Sequence, residues 1–98
     1  MPLIIKWNRR ALNELNTAIE YISKDSVQNG EKVKNKILDR INFIADHPES
    51  FPLDKFKVNN DNSFRAFELQ RYRVSYRIFG NEIQIVGLRH TKRNPKFY

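Results

Sequence analysis

The sequence predicts a two-layer α+β domain in the order β-α-α-β-β-β, with a helical hairpin packed on one face of a mostly antiparallel sheet. Three observations lead there. Two successive segments repeat apolar residues at helical spacing, three β-prone runs then follow closely on one another, and a stretch rich in proline and asparagine separates the two groups. Ninety-eight residues suit one domain spanning 1–98, large enough for a core but too small to enclose a large cofactor.

"PLIIKW" (2–7) is a short β-prone run, and Asn8 after it is a suitable N-cap. Apolar residues at 11, 12, 15, 18, 19 and 22 then form the stripe of an amphipathic helix that ends near "SKDS". Asp25 or Ser26 can cap a second helix, with Gln28 placed for a capping box on Asp25. Its stripe is Val33, Ile37, Ile41, Ile44 and Ala45, and Pro48 ends it, with His47 in the last turn next to the helix dipole. Gly30 weakens the start of that helix and is best explained by close packing against the first. "HPESFPLDKFKVNNDNS" (47–63) has no period and reads as a loop, with Phe51, Leu53 and Phe56 folding back on the core. "FRAFELQ" (64–70), "YRVSYRIF" (72–79) and "EIQIVGLRH" (82–90) read as strands, the last two joined by a tight turn at Gly80-Asn81. The tail "TKRNPKFY" carries no element signal.

If residues 69 and 72 flank the first hairpin turn, Arg65, Phe67 and Leu69 share a face with Tyr72, Val74, Tyr76 and Ile78. That face is mainly apolar and is expected to pack on the helices. Strict alternation then puts Arg73, Ser75, Arg77, Gln84, Val86, Leu88 and His90 on the other face, close to the basic tail.

Lysine and arginine number 18 against 11 acidic residues, a formal charge of +7, which points to an anionic partner. No apolar run approaches the length of a membrane span, and "MPLIIKWNRR" lacks the apolar core of a signal peptide. With no cysteine there are no disulfides, no thiol chemistry and no thiolate metal sites, and two histidines apart in sequence make no metal site. A cytoplasmic domain without cofactor, metal or membrane contact is the expectation.

The order of elements, together with "W-N-x-x-A-x-x-E-L" at 7–15, the helix ending in "HP" at 47–48, Arg65, "YRVSYRI" at 72–78 and "H-x-x-R-x-P" at 90–95, resembles the RelE/ParE superfamily of bacterial type II toxin–antitoxin toxins. The resemblance covers nearly the whole chain. It implies a growth-inhibiting toxin, of the kind tied to plasmid stabilisation, held inactive in a hetero-oligomer with a cognate antitoxin. RelE-like members are mRNA interferases, endoribonucleases that cut message on the ribosome without metal; ParE-like members poison DNA gyrase without breaking bonds themselves. A third possibility is a module member that binds only its antitoxin. The leading expectation from the sequence is the metal-independent mRNA endonuclease, with gyrase inhibition as the alternative.

Metal-free RNA cleavage requires proton removal from the 2′-hydroxyl, stabilisation of a phosphorane and protonation of the leaving oxygen. Arginine suits the middle task, binding phosphate oxygens through its planar fork. By resemblance Arg73 occupies the phosphate-contacting position, Arg65 lies in the strand where relatives place catalytic lysines, and Tyr98 corresponds to a functional tyrosine near the C-terminus. RNA-cleaving relatives carry two lysines near Arg65, where this chain reads "RAFELQ". His90 is the natural proton carrier near neutral pH, with Tyr98 or Tyr76 as further donors. Arg77, Arg89, Lys92, Arg93, Lys55 and Lys57 are the candidates for phosphate contact. Replacing Arg73 by alanine is expected to abolish growth arrest while hardly moving the melting temperature.

Overall fold

The computed structural model describes residues 2–98, and its elements run β1 (Ile4–Trp7), α1 (Arg9–Ser23), α2 (Val27–Asp46), β2 (Phe64–Leu69), β3 (Tyr72–Phe79) and β4 (Glu82–His90). The strands form one sheet in the order β1-β4-β3-β2. β1 runs parallel to β4, and the other pairings are antiparallel. The helical hairpin covers one face, and the core between the layers holds Ala11, Leu15 and Ala18 of α1, Val33, Ile37, Ile41 and Ile44 of α2, and Phe67, Val74, Tyr76, Ile83, Ile85 and Leu88 of the sheet.

Local chemistry sets the helix boundaries. The Asn8 side chain accepts from Ala11 N–H, so α1 begins where the sequence placed its cap. Ser26 rather than Asp25 caps α2, accepting from Asn29 N–H, and the Asp25–Gln28 box does not form. His47 is the C-cap of α2, its ring stacked on Phe43 at 4.5 Å between centroids. Gly30 sits against α1: a Cβ there would lie 2.2 Å from Ser23 Oγ and 3.3 Å from the Ile19 carbonyl oxygen. The helices meet where a side chain has no room, as the glycine suggested.

The first hairpin has the expected register, with Leu69 opposite Tyr72, Phe67 opposite Val74 and Arg65 opposite Tyr76. The second departs from strict alternation. Ser75 pairs with Gly87 and Tyr76 with Ile85, so Val86 is an extra residue, a β-bulge in β4. One inserted residue reverses which face every later side chain takes. Leu88 therefore packs in the core rather than on the outer face. His90 stands opposite Tyr72, with the two rings edge to face at 5.1 Å. The expectation that both lie on the outer face is corrected for that reason.

β1 covers only residues 82–85 of β4. Beyond it the edge is closed by side chains of α1 and the residue that caps it. Asn8 Nδ2 and Arg10 Nη2 donate to the Val86 carbonyl at 3.3 and 3.1 Å, and Glu14 Oε1 accepts from Leu88 N–H at 3.1 Å. Polar groups that the bulge takes out of the ladder are thus satisfied. In the long loop Phe51 packs on the core beside Phe67, and Phe56 is half-buried, but Leu53 remains exposed. Leu53 forms a bridge to Arg65 that lays residues 52–54 along the outer edge of β2, so its backbone is used and its side chain is left in water.

Candidate functional site

On the outer sheet face, between β3–β4 and the tail, lies a cavity of about 160 Å³. Arg73, Ser75, Gly87 and Arg89 line it from the sheet, Arg10 and Glu14 from α1, Asp54 and Phe56 from the loop, and Arg93, Lys96 and Tyr98 from the tail. Arg73 and Arg89 are direct cross-strand partners. Like charges so placed repel, and anions nearby must offset them.

Part of that offset is internal. Arg73 Nη2 donates to Asp54 Oδ1 at 2.9 Å and Nη1 to Glu68 Oε2 at 3.0 Å, while the guanidinium lies over the Phe56 ring. Both ends of its fork are occupied, and Nε is buried without a protein partner. Asp54 is the hub. It is 2% exposed, and it accepts from Arg73, from Phe56 N–H at 3.0 Å and from the Tyr98 hydroxyl at 2.5 Å. Burial alone would push its carboxyl up, but hydrogen bonds from Tyr98, Arg73, Phe56 N–H and Ser75 together outweigh burial and hold it below the ordinary aspartate range. Burial first, and donation to that carboxylate second, raise the Tyr98 phenol well above an ordinary tyrosine. At neutral pH the pair is an ionised Asp54 accepting from a neutral Tyr98.

The tail is therefore no frayed end. Tyr98 N–H donates to the Phe56 carbonyl at 3.1 Å and Val58 N–H to the Tyr98 carbonyl at 2.7 Å. Lys57 Nζ lies over the Tyr98 and Phe64 rings and donates to the Tyr98 carbonyl at 3.3 Å.

Of the residues singled out from sequence, Arg73, Arg89, Arg93, His90 and Tyr98 line the cavity. His90 does so with its ring turned to Tyr72. Its Nδ1 accepts from Lys92 N–H at 3.0 Å, so the neutral ring keeps its proton on Nε2. Arg65 does not reach the cavity: it faces the helix side and donates through Nη1 to the Phe51 carbonyl at 2.5 Å, holding the loop against the sheet. Tyr76 is fully buried, donates to the Pro48 carbonyl at 2.9 Å and is pushed up to about 12 by burial. Arg77 lies further along the outer face, bonded to Ser63 and paired with Asp61 at 3.6 Å. Lys55 packs over Phe56, and neither Lys55, Lys57 nor Lys92 lines the cavity. Asp54, Arg10, Glu14, Glu68 and Lys96 were not among the sequence candidates.

The expectation that alanine at 73 leaves the melting temperature unmoved is corrected by the same geometry, because it would strand a buried carboxylate without its cation. Among the described residues no ion pair holds Arg89, Arg93 or Lys96. With Arg10, which lines the cavity in no ion pair among the described residues and donates to the Val86 carbonyl, these are the cations of the cavity available to an outside anion. Among the described residues no group of three or more His, Asp or Glu side chains is placed to hold a metal ion, and no helix is long and apolar enough to cross a membrane.

Two helices on a four-stranded sheet in the order β-α-α-β-β-β is the fold of RelE/ParE-like structures. A chain of the chromosomal ParDE toxin–antitoxin system from P. aeruginosa superposes with a TM-score of 0.71 at 17% identity, covering 92% of this chain and 97% of that one. A free-state variant of the E. coli toxin RelE superposes at 0.64 with 14% identity, covering 94% and 86%. At such identities the likeness concerns the fold alone. No curated protein is significantly similar in sequence. The family model for the ParE toxin of the type II toxin–antitoxin system parDE matches residues 5–95, and the chain belongs to that family. It is a toxin of a type II toxin–antitoxin module, and the family implies a cognate antitoxin as partner.

Proposed function

We propose that this toxin, acting in the cytoplasm as a single unit over residues 1–98, arrests growth by binding DNA gyrase rather than by cutting RNA. The observation that carries this reading is the state of Arg73, whose fork is filled by Asp54 and Glu68 while the Tyr98 hydroxyl is given to the same Asp54. A nuclease of this type needs an arginine facing the scissile phosphate and a group ready to take a proton. Here the arginine is neutralised within the protein, the phenol is a hydrogen-bond donor with a raised pKa, His90 is turned against Tyr72 and Arg65 is spent on a loop carbonyl. Arg89, Arg93 and Lys96 then serve as docking charges for an acidic protein surface.

The test is a supercoiling and cleavage assay with purified toxin, gyrase and relaxed or supercoiled plasmid. Accumulation of toxin-dependent double-strand breaks, abolished by Arg89→Ala together with Arg93→Ala, is the expected result. Unimpaired gyrase at toxin concentrations that stop growth would overturn it. The endonuclease reading is favoured by one observation, four cations without ion pairs among the described residues, Arg10, Arg89, Arg93 and Lys96, around a concave site. Cleavage of translated message by the purified toxin would establish it instead.

A further inference from the structure

Residues 91–98 leave β4, pass over the outer sheet face and return to the loop at Phe56 and Val58. They form a strap, and it is closed against its own charge. Arg93 and Lys96 of the strap line the same cavity as Arg73 and Arg89 of the sheet, so closure brings cations towards cations. Residues 91–97 are exposed and belong to no helix or strand, so no ladder holds the middle of the strap down, and the Phe97 ring, edge to face with Phe56 at 5.5 Å, stays largely in water. What opposes the repulsion sits at its far end, where the Tyr98 backbone bonds to Phe56 and Val58 and its hydroxyl meets a carboxylate that is itself buried and also grips Arg73.

From this we infer that Asp54 is the positioning residue of the cavity: one carboxylate latches the strap through Tyr98 and aims Arg73, so that the basic cavity exists only while Asp54 holds both. The two oxygens divide the work, Oδ2 accepting from Tyr98 and Oδ1 from Arg73 and the Phe56 amide. A buried carboxylate with charge-assisted bonds to two elements fixes both more tightly than neutral contacts would. Ser75 and Lys57 also face Tyr98, but Lys57 reaches the backbone carbonyl and ring, not the hydroxyl. Cutting the latch therefore releases the strap without dismantling the core beneath it. For its bearing on toxicity the inference rests on the reading of this face as the working surface of the toxin; its physical content does not depend on the target.

Limited trypsin digestion of the full chain tests it, because Lys92 and Arg93 are cleavage sites on the strap and Lys34 and Lys36 are internal controls in α2. Tyr98→Phe keeps the ring and the backbone bonds and removes one hydroxyl. It is expected to speed cleavage after Lys92 and Arg93 by about tenfold, as loss of a hydrogen bond to a buried charge raises the open population, with the α2 sites unchanged. Asp54→Asn is expected to do the same, and the double variant to exceed the single ones by far less than the product of their effects. Asp54→Asn should also collapse the slowly exchanging side-chain nitrogen resonances of Arg73, a signature that a merely structural loop residue would not move. Strap cleavage in Tyr98→Phe at the wild-type rate would overturn the inference, as would multiplicative effects in the double variant. Failure of the gyrase reading would appear in the gyrase assay and leave these cleavage rates as they are.

Discussion

Arg73, singled out from sequence for function, is held by the fold through two carboxylates. Its guanidinium is the only cation paired with Asp54 among the described residues, and the Asp54 side chain has no exposure of its own. Arg73→Ala is expected to destabilise the fold by about 3 kcal/mol, the cost of breaking a buried pair from one side. For a domain of this size that lowers Tm by roughly 10–20 °C, measurable by calorimetry. Loss of growth arrest in that variant would therefore be ambiguous, whereas Arg89→Ala removes a cation with no ion pair and should leave stability within about 0.5 kcal/mol. The acid limb of stability follows from the same site. Because the folded pKa of Asp54 is depressed, its stabilising share is complete above the unfolded aspartate value of about 4 and is lost as pH falls through the lower folded value. Asp54→Asn should flatten that limb in acid titrations followed by circular dichroism. Arg73 was legible in the sequence because a motif surrounds it. Asp54 was not, since a lone aspartate in an aperiodic loop has no period, spacing or partner to mark it; only the fold brings it to residues 73 and 98.

Among the elements, the two hairpin turns differ in how well the sequence suits them. The β3–β4 turn uses Gly80 at φ +60°, the conformation that glycine tolerates. The β2–β3 turn places Gln70 and Arg71 at φ 53° and 69°, the backbone of a two-residue type I′ turn filled by residues that disfavour it. Replacing the pair by Asn-Gly should stabilise the protein by about 1 kcal/mol, read as a higher urea midpoint at an unchanged slope. The bulge at Val86 had a signal that strict alternation passed over: Gly87, inside an otherwise β-prone run, is where a ladder often breaks. Taking that glycine as a bulge would have put Leu88 in the core and His90 beside Tyr72. The helices were more legible, because their stripes and the Asn8 cap are local properties.

At the scale of the molecule, the charge of +7 is unevenly used. Some cations are consumed internally, Arg65 on loop carbonyls and Arg73 and Arg77 on carboxylates, while Arg89, Arg93 and Lys96 remain without ion pairs around one cavity. Composition announced an anionic partner; only the folded chain separates the committed cations from the available ones. Association with the antitoxin or target through this face should weaken as salt rises, an expectation that titration calorimetry at several ionic strengths can check. The element order and, as far as the bulge in β4, the face that meets the helices were readable in advance because each depends on periodicity. The convergence of loop, strand and tail on Asp54 depends on long-range closure, which no window of sequence contains.

On the proposed function, the toxin binds its target and breaks no RNA bond. The most direct test is a cell-free translation reaction with purified toxin, in which 5′ ends are mapped on the message with and without active ribosomes. Intact message at concentrations of toxin that arrest growth is the expected result. New 5′ ends confined to translated message, and lost on Arg89→Ala, would contradict it.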